Sequence, residues 1–157
     1  MARGNKSLFS LTTIFASFFG AALIAGAFAY FNYKFSEYKF IDFSQFSFYT
    51  DKTIFQPDKK AYAVIFFSSK EPQTIEKIKK LSLNYPILAI DYYNKKIKST
   101  PNVSFLRSGT NTSLKFIQRF NIYNEPVLFF IKKMNNHLYK QDSMIRTIDN
   151  FNQLPKE

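Results

Sequence analysis

At 157 residues the chain has room for one ordinary domain plus an anchor or tail. It contains no cysteine and one histidine, His137, which excludes dithiol exchange, thiol nucleophiles, thiolate metal sites and any imidazole triad within the chain. The formal charge of +11 suits phosphate neutralisation, but no nucleic-acid motif accompanies it, so the excess lysine reads as solvated surface and no nucleic-acid partner is expected.

The first seven residues form a short basic tail. Residues 8–31, LFSLTTIFASFFGAALIAGAFAYF, carry no charge, and as a helix rising about 1.5 Å per residue they reach past a hydrocarbon core of about 30 Å. Two readings compete, a retained transmembrane anchor and a secretory signal peptide with an A-x-A-like site at Ala27 to Ala29. The length favours the anchor, since a signal core usually runs about 7 to 15 residues. Either one exports the remainder of the chain. Small residues recur four apart at Ala16 and Gly20 and at Ala22 and Gly26, a pattern that lets helices approach closely, so self-association or packing on another membrane helix is expected of this face. Residues 32–58 form a connecting segment rich in aromatic rings, including Phe40, Phe43, Phe46, Phe48 and Phe55, which are costly to leave in water and are expected to supply a first strand and packing for the domain at 59–157.

Within that domain, Ala61–Phe67 is a continuous apolar run suited to a strand covered on both faces. Pro72 then opens an amphipathic helix with Ile75, Ile78 and Leu81 at three-residue steps, stopped by Pro86. A second strand is expected over Ile87–Tyr93 and a short extended piece over Val103–Leu106. Asn111 or Thr112 caps a second helix with Leu114, Ile117 and Phe120 on one face. Val127–Ile131 and Leu138–Gln141 read as a hairpin turning at Asn135 and Asn136, and Thr147–Leu154 as a closing helix with Ile148, Phe151 and Leu154 inward. Beyond the anchor the only glycine is Gly109, so no phosphate-binding loop can be drawn, and no spacing among the carboxylates picks out an acid/base pair or a metal site. No catalytic residues and no cofactor are expected.

This order, strand, helix, strand, helix, hairpin, helix, resembles the thioredoxin family. AVIFFSSKEPQTIEKIKKL is similar to its first core strand running into the active-site helix. PILAIDYY is similar to the next strand, with Asp91 at the customary acidic position, and FIQRFNIYNEPVLFFIKKMNNHLYKQDS to the helix end, cis-proline loop and hairpin, with Pro126 at the proline position. The resemblance covers about Lys59 to Leu154 and implies an α/β fold, a thioredoxin-like three-layer α/β/α sandwich. Where the family carries Cys-x-x-Cys this chain carries Lys70, Glu71, Pro72 and Gln73, so fold and peptide-facing surface carry over and redox activity does not. The implied partner-binding positions are Lys70 to Gln73 and Asn124, Glu125 and Pro126.

With the anchor, the architecture resembles bacterial membrane-anchored thioredoxin-like assembly chaperones, including those that protect flagellar stator subunits. The resemblance implies a single-pass protein of the inner membrane with its soluble domain in the periplasm. It implies a non-catalytic chaperone or adaptor that binds an integral membrane protein or complex and takes no small-molecule substrate. An accessory of a periplasmic thiol-redox or cytochrome-maturation system, and a structural subunit of an envelope complex, are the alternatives.

Overall fold

The computed structural model describes residues 10–37, 40–151 and 154, the side chains of 34–37 excepted. The basic tail and the first two residues of the expected span lie outside them. The chain divides into two compact units, residues 1–37 and 38–157.

The first unit is α1 (Leu11–Glu37). Ser10 caps its start, its hydroxyl accepting the Thr13 N–H at 3.2 Å. The helix runs on beyond Phe31 to Glu37. The stretch Leu11–Tyr33 is long and apolar enough to cross a membrane. Phe15, Phe18, Leu23, Ile24 and Phe28 point to different sides of the helix and are all exposed, an arrangement that water penalises and lipid tails do not. Ala16, Ala22 and Gly26 are exposed and Gly20 nearly so, and a Cβ built on either glycine meets nothing within 4 Å, so both small-residue faces are open.

The second unit is mixed α/β. In chain order it contains β1 (Phe40–Asp42), β2 (Phe48–Tyr49), β3 (Ala61–Phe67), α2 (Pro72–Lys79), β4 (Ile87–Asp91), β5 (Val103–Ser108), α3 (Thr110–Phe120), β6 (Val127–Lys133), β7 (Leu138–Gln141) and β8 (Arg146–Thr147). The sheet order is β1-β7-β6-β3-β4-β5-β2, with β8 also on β6. β3, β4 and β5 are parallel neighbours, and the other pairs are antiparallel. Alternate residues of β3 feed two cores: Val64 and Phe66 join Phe116 and Phe120 of α3, whereas Ala63, Ile65 and Phe67 join Ile75 and Ile78 of α2. The two helices therefore cover opposite faces.

β1 and β2 lie at opposite edges of this sheet although only six residue steps separate Asp42 from Phe48. Six strand spacings of about 4.8 Å come to about 29 Å if flat, whereas six residues reach at most about 21 Å. The sheet must curl for the strap to connect its edges. The strap fills the concave face with Phe43, Phe46 and Phe48, all buried. Phe43 meets Tyr139 edge-on at 5.4 Å between centroids, and Phe48 meets Phe116 at 5.8 Å. Arg119 ties α3 to the strap, with its guanidinium 5.1 Å from the Phe46 ring centre and donating to the Phe40 carbonyl at 3.3 Å.

Several elements differ from expectation: β4 ends at Asp91, short of Tyr93; β5 runs on past Leu106 to Ser108; and α3 starts at Thr110 after Gly109, ahead of the expected Asn111 or Thr112 cap. α2 ends at Lys79, because Leu81 and Leu83 both pack on the second core and on a helix would point to nearly opposite sides. In α3 the buried face is Ser113, Phe116 and Phe120, with Ile117 half-buried beside it and Leu114 exposed; the aromatic pair stacks on Phe66 and Phe129 and sets the helix rotation. The closing helix does not start at Thr147. That residue is in β8, and the Ile148 N–H donates to the Pro126 carbonyl at 2.8 Å, pairing a β6 edge that β7 leaves open. Asn152 and Gln153 lie outside the described residues, but Ile148, Phe151 and Leu154 do pack inward as expected.

Candidate functional site

β3 and β4 run parallel, so both deliver their following loops to one end of the sheet, and β6, running antiparallel to β3, starts there. Asp91 fixes these loops together. It is 1% exposed, and its carboxylate accepts the backbone N–H groups of Ser69 at 2.9 Å, Tyr93 at 3.2 Å and Lys95 at 2.6 Å. The acidic residue at the end of the second core strand thus organises two loops, one leading into α2 and one carrying Tyr92 and Tyr93.

α2 opens with Glu71 in extended conformation and Pro72 in its first turn, where the absent proline N–H costs no helical bond. On the facing side, Asn121 ends α3 in the left-handed conformation at φ 49°, and Ile122 is buried, which seats the loop 121–126 against the core. Tyr123, Asn124 and Glu125 lie outside every strand, and the Glu125–Pro126 bond is cis.

These pieces enclose a groove of about 270 Å³ lined by Ser68, Lys70, Glu71, Thr74, Glu125 and Pro126. On the other side of Glu125 a shallower cavity of about 620 Å³ is lined by Phe66, Tyr92, Ile122, Tyr123 and Asn124 among others. The Lys70 ammonium sits 4.7 Å from the centre of the Tyr93 ring. Its amine is held above the ordinary lysine value, first by hydrogen bonding to the Tyr93 hydroxyl, with a smaller contribution from the Glu125 carboxylate. Burial pushes the Glu125 carboxyl up, and the Asp91 charge adds to this, against the Ser68 hydroxyl and Lys70, which pull it down.

Of the seven positions singled out from sequence, Lys70, Glu71, Glu125 and Pro126 share the first groove. Asn124 lines the second cavity, Pro72 shapes the start of α2, and Gln73 is exposed on α2. Sequence reasoning missed Ser68, Thr74 and the three exposed tyrosines 92, 93 and 123. The available signal was the Tyr-Tyr pair following Asp91, polar-tipped rings placed where the strand leaves the core. The arrangement offers a cation, a half-exposed carboxyl, aromatic faces and unladdered backbone, which suit non-covalent recognition of a chain segment. No family model matches this chain, and no curated protein matches it in sequence.

Proposed function

We propose that this is a redox-inactive, thioredoxin-like protein anchored in a bacterial inner membrane, whose periplasmic domain binds and stabilises a partner membrane protein. The particular role favoured is assembly chaperone, of the kind that protects flagellar stator subunits. The observation that carries the reading is the meeting of the α2 start and the loop before Pro126 around one groove, in a chain with no thiol to act there. Three further features support it. β3, α2 and β4 follow one another as strand, helix and parallel strand; α2 and α3 cover opposite sheet faces; and α1 is long and apolar enough to span a bilayer. Backbone of Tyr123, Asn124 and Glu125, outside the ladder, is available to pair with an extended segment, a mode of binding that needs no cysteine.

The test is affinity capture from gently solubilised membranes with the full-length chain, the segment Lys34 to Glu157, and a full-length Gly20→Leu/Gly26→Leu variant. Deleting the gene is expected to lower the captured partner's protein level while its messenger is unchanged. Capture of no membrane protein by any form, together with unchanged membrane-protein levels on deletion, overturns the reading.

A further inference from the structure

A second cavity, of about 350 Å³, begins at the other end of β3 from Lys70 and runs along β6. It arises from a two-residue excess. Gln141 pairs with Ile131 and Arg146 pairs with Leu128, so the four residues 142–145 that link β7 to β8 face only two of β6. The extra length bulges outward and is pinned there. The Asp142 N–H donates to the Phe130 carbonyl at 2.8 Å, the Phe130 N–H donates to the Ser143 hydroxyl at 2.8 Å, and the Gln141 side-chain amide donates to the Ser143 carbonyl at 2.7 Å.

The bulge leaves an apolar floor of Leu128, Phe130 and Tyr85, the two rings meeting edge-on at 5.7 Å, with Met144 82% exposed at the mouth. Around it stand three cations, Lys60, Lys132 and Arg146, and one carboxylate, Asp142. Among the described residues none of the three cations is ion-paired; the pairs present are Lys59 with Asp58 and Lys79 with Glu76. Like charges gathered at an apolar opening repel one another, and an anion with an apolar body relieves the repulsion while covering the floor.

We propose that this cavity is a binding site for a small apolar anion, an aromatic ring or short acyl group carrying a carboxylate, sulfonate or phosphate. The volume lies near the lower end of the range of about 300–1,000 Å³ usual for small-molecule sites, which fits one ring or one short chain and not a two-chain lipid. The site is independent of the groove at Lys70 and does not rest on the function proposed for it.

The chain has three methionines, so methyl-13C-methionine labelling of the full-length protein in uncharged detergent micelles gives a simple spectrum. Titration with 2-naphthoate is expected to shift the Met144 methyl saturably and to leave Met134, exposed outside the cavity in the β6–β7 turn, unmoved. Uncharged 2-naphthamide, of the same shape, is expected to bind at least about tenfold more weakly, and a Lys132→Gln/Arg146→Gln variant to lose about tenfold in naphthoate affinity with the Met134 signal in place. Parallel, unsaturated shifts of both methyls, or equal affinity for acid and amide, overturn the proposal. If the Met134 signal of the variant moves, its fold has changed and the acid-against-amide comparison on the unaltered protein decides alone.

Discussion

Replacing Asp91 by alanine removes the acceptor for three backbone N–H groups at once. Their surroundings differ. Ser69 is buried, so its N–H is stranded, at a cost of about 1–3 kcal/mol. Tyr93 and Lys95 are exposed, and their N–H groups recover water, losing only the excess strength of a charge-assisted bond. The sum is about 2–4 kcal/mol, a large share of the roughly 5–15 kcal/mol that holds a domain folded. Asp91→Asn keeps one carbonyl oxygen and is expected to lose about half as much. Urea unfolding of the segment 38–157, followed by far-UV circular dichroism, reads both losses as midpoint shifts at constant slope. An Asp91→Ala protein within about 0.5 kcal/mol of the wild type refutes the claim that this carboxylate holds the two site loops together.

Phe48→Ala empties a fully buried ring position between Phe43 and Phe116 and is expected to cost about 3–5 kcal/mol by the same assay; a segment starting at Lys59, which lacks the whole strap, should then fail to give a cooperative transition. Burial pushes the Tyr139 hydroxyl up to about 12 from an ordinary 10.0. Its protonated form is therefore favoured on folding, a contribution fully present below pH 10.0 and lost as pH rises through about 12. Tyr139 donates to the Lys59 carbonyl at 2.7 Å, so Tyr139→Phe should cost about 1 kcal/mol at neutral pH and flatten that alkaline loss in stability-against-pH curves. Leu23→Arg places a charge in the middle of the apolar span at a cost of about 2.5–3.5 kcal/mol, and cell fractionation should find it depleted from membranes relative to wild type.

The central strands were legible because each is a compact apolar run between polar breaks. Ala61–Phe67 and Leu138–Gln141 have the bounds read from sequence, and Val127 opens β6 as read. What sequence periodicity left out depends on partners distant in the chain. Leu114 has the spacing of a core residue, yet the rings of Phe116 and Phe120 find Phe66, Phe48 and Phe129 and turn it outward. Ile148, Phe151 and Leu154 are spaced as a helix face, yet the unpaired β6 edge draws Thr147 into β8. The aromatic strap could be recognised as packing, but its crossing from one sheet edge to the other follows from the curl and not from any local pattern. At the site, residues adjacent in sequence to Pro72 and Pro126 were found by position. Ser68 enters through the way Asp91 ties its loop to the one carrying Tyr92 and Tyr93, and Tyr123 through the loop before Pro126, a meeting of segments that no single one of them reveals.

The most direct test of partner binding at the groove is photocrosslinking in intact membranes, with a benzophenone side chain replacing Tyr123, 87% exposed beside the groove, or Met134, 59% exposed in the turn between β6 and β7. Binding at the groove predicts one membrane protein attached at position 123 and none at 134, with the attachment weakened by Lys70→Glu. Equal crosslinking from both positions, or none from 123 while the protein is folded and membrane-bound, contradicts it.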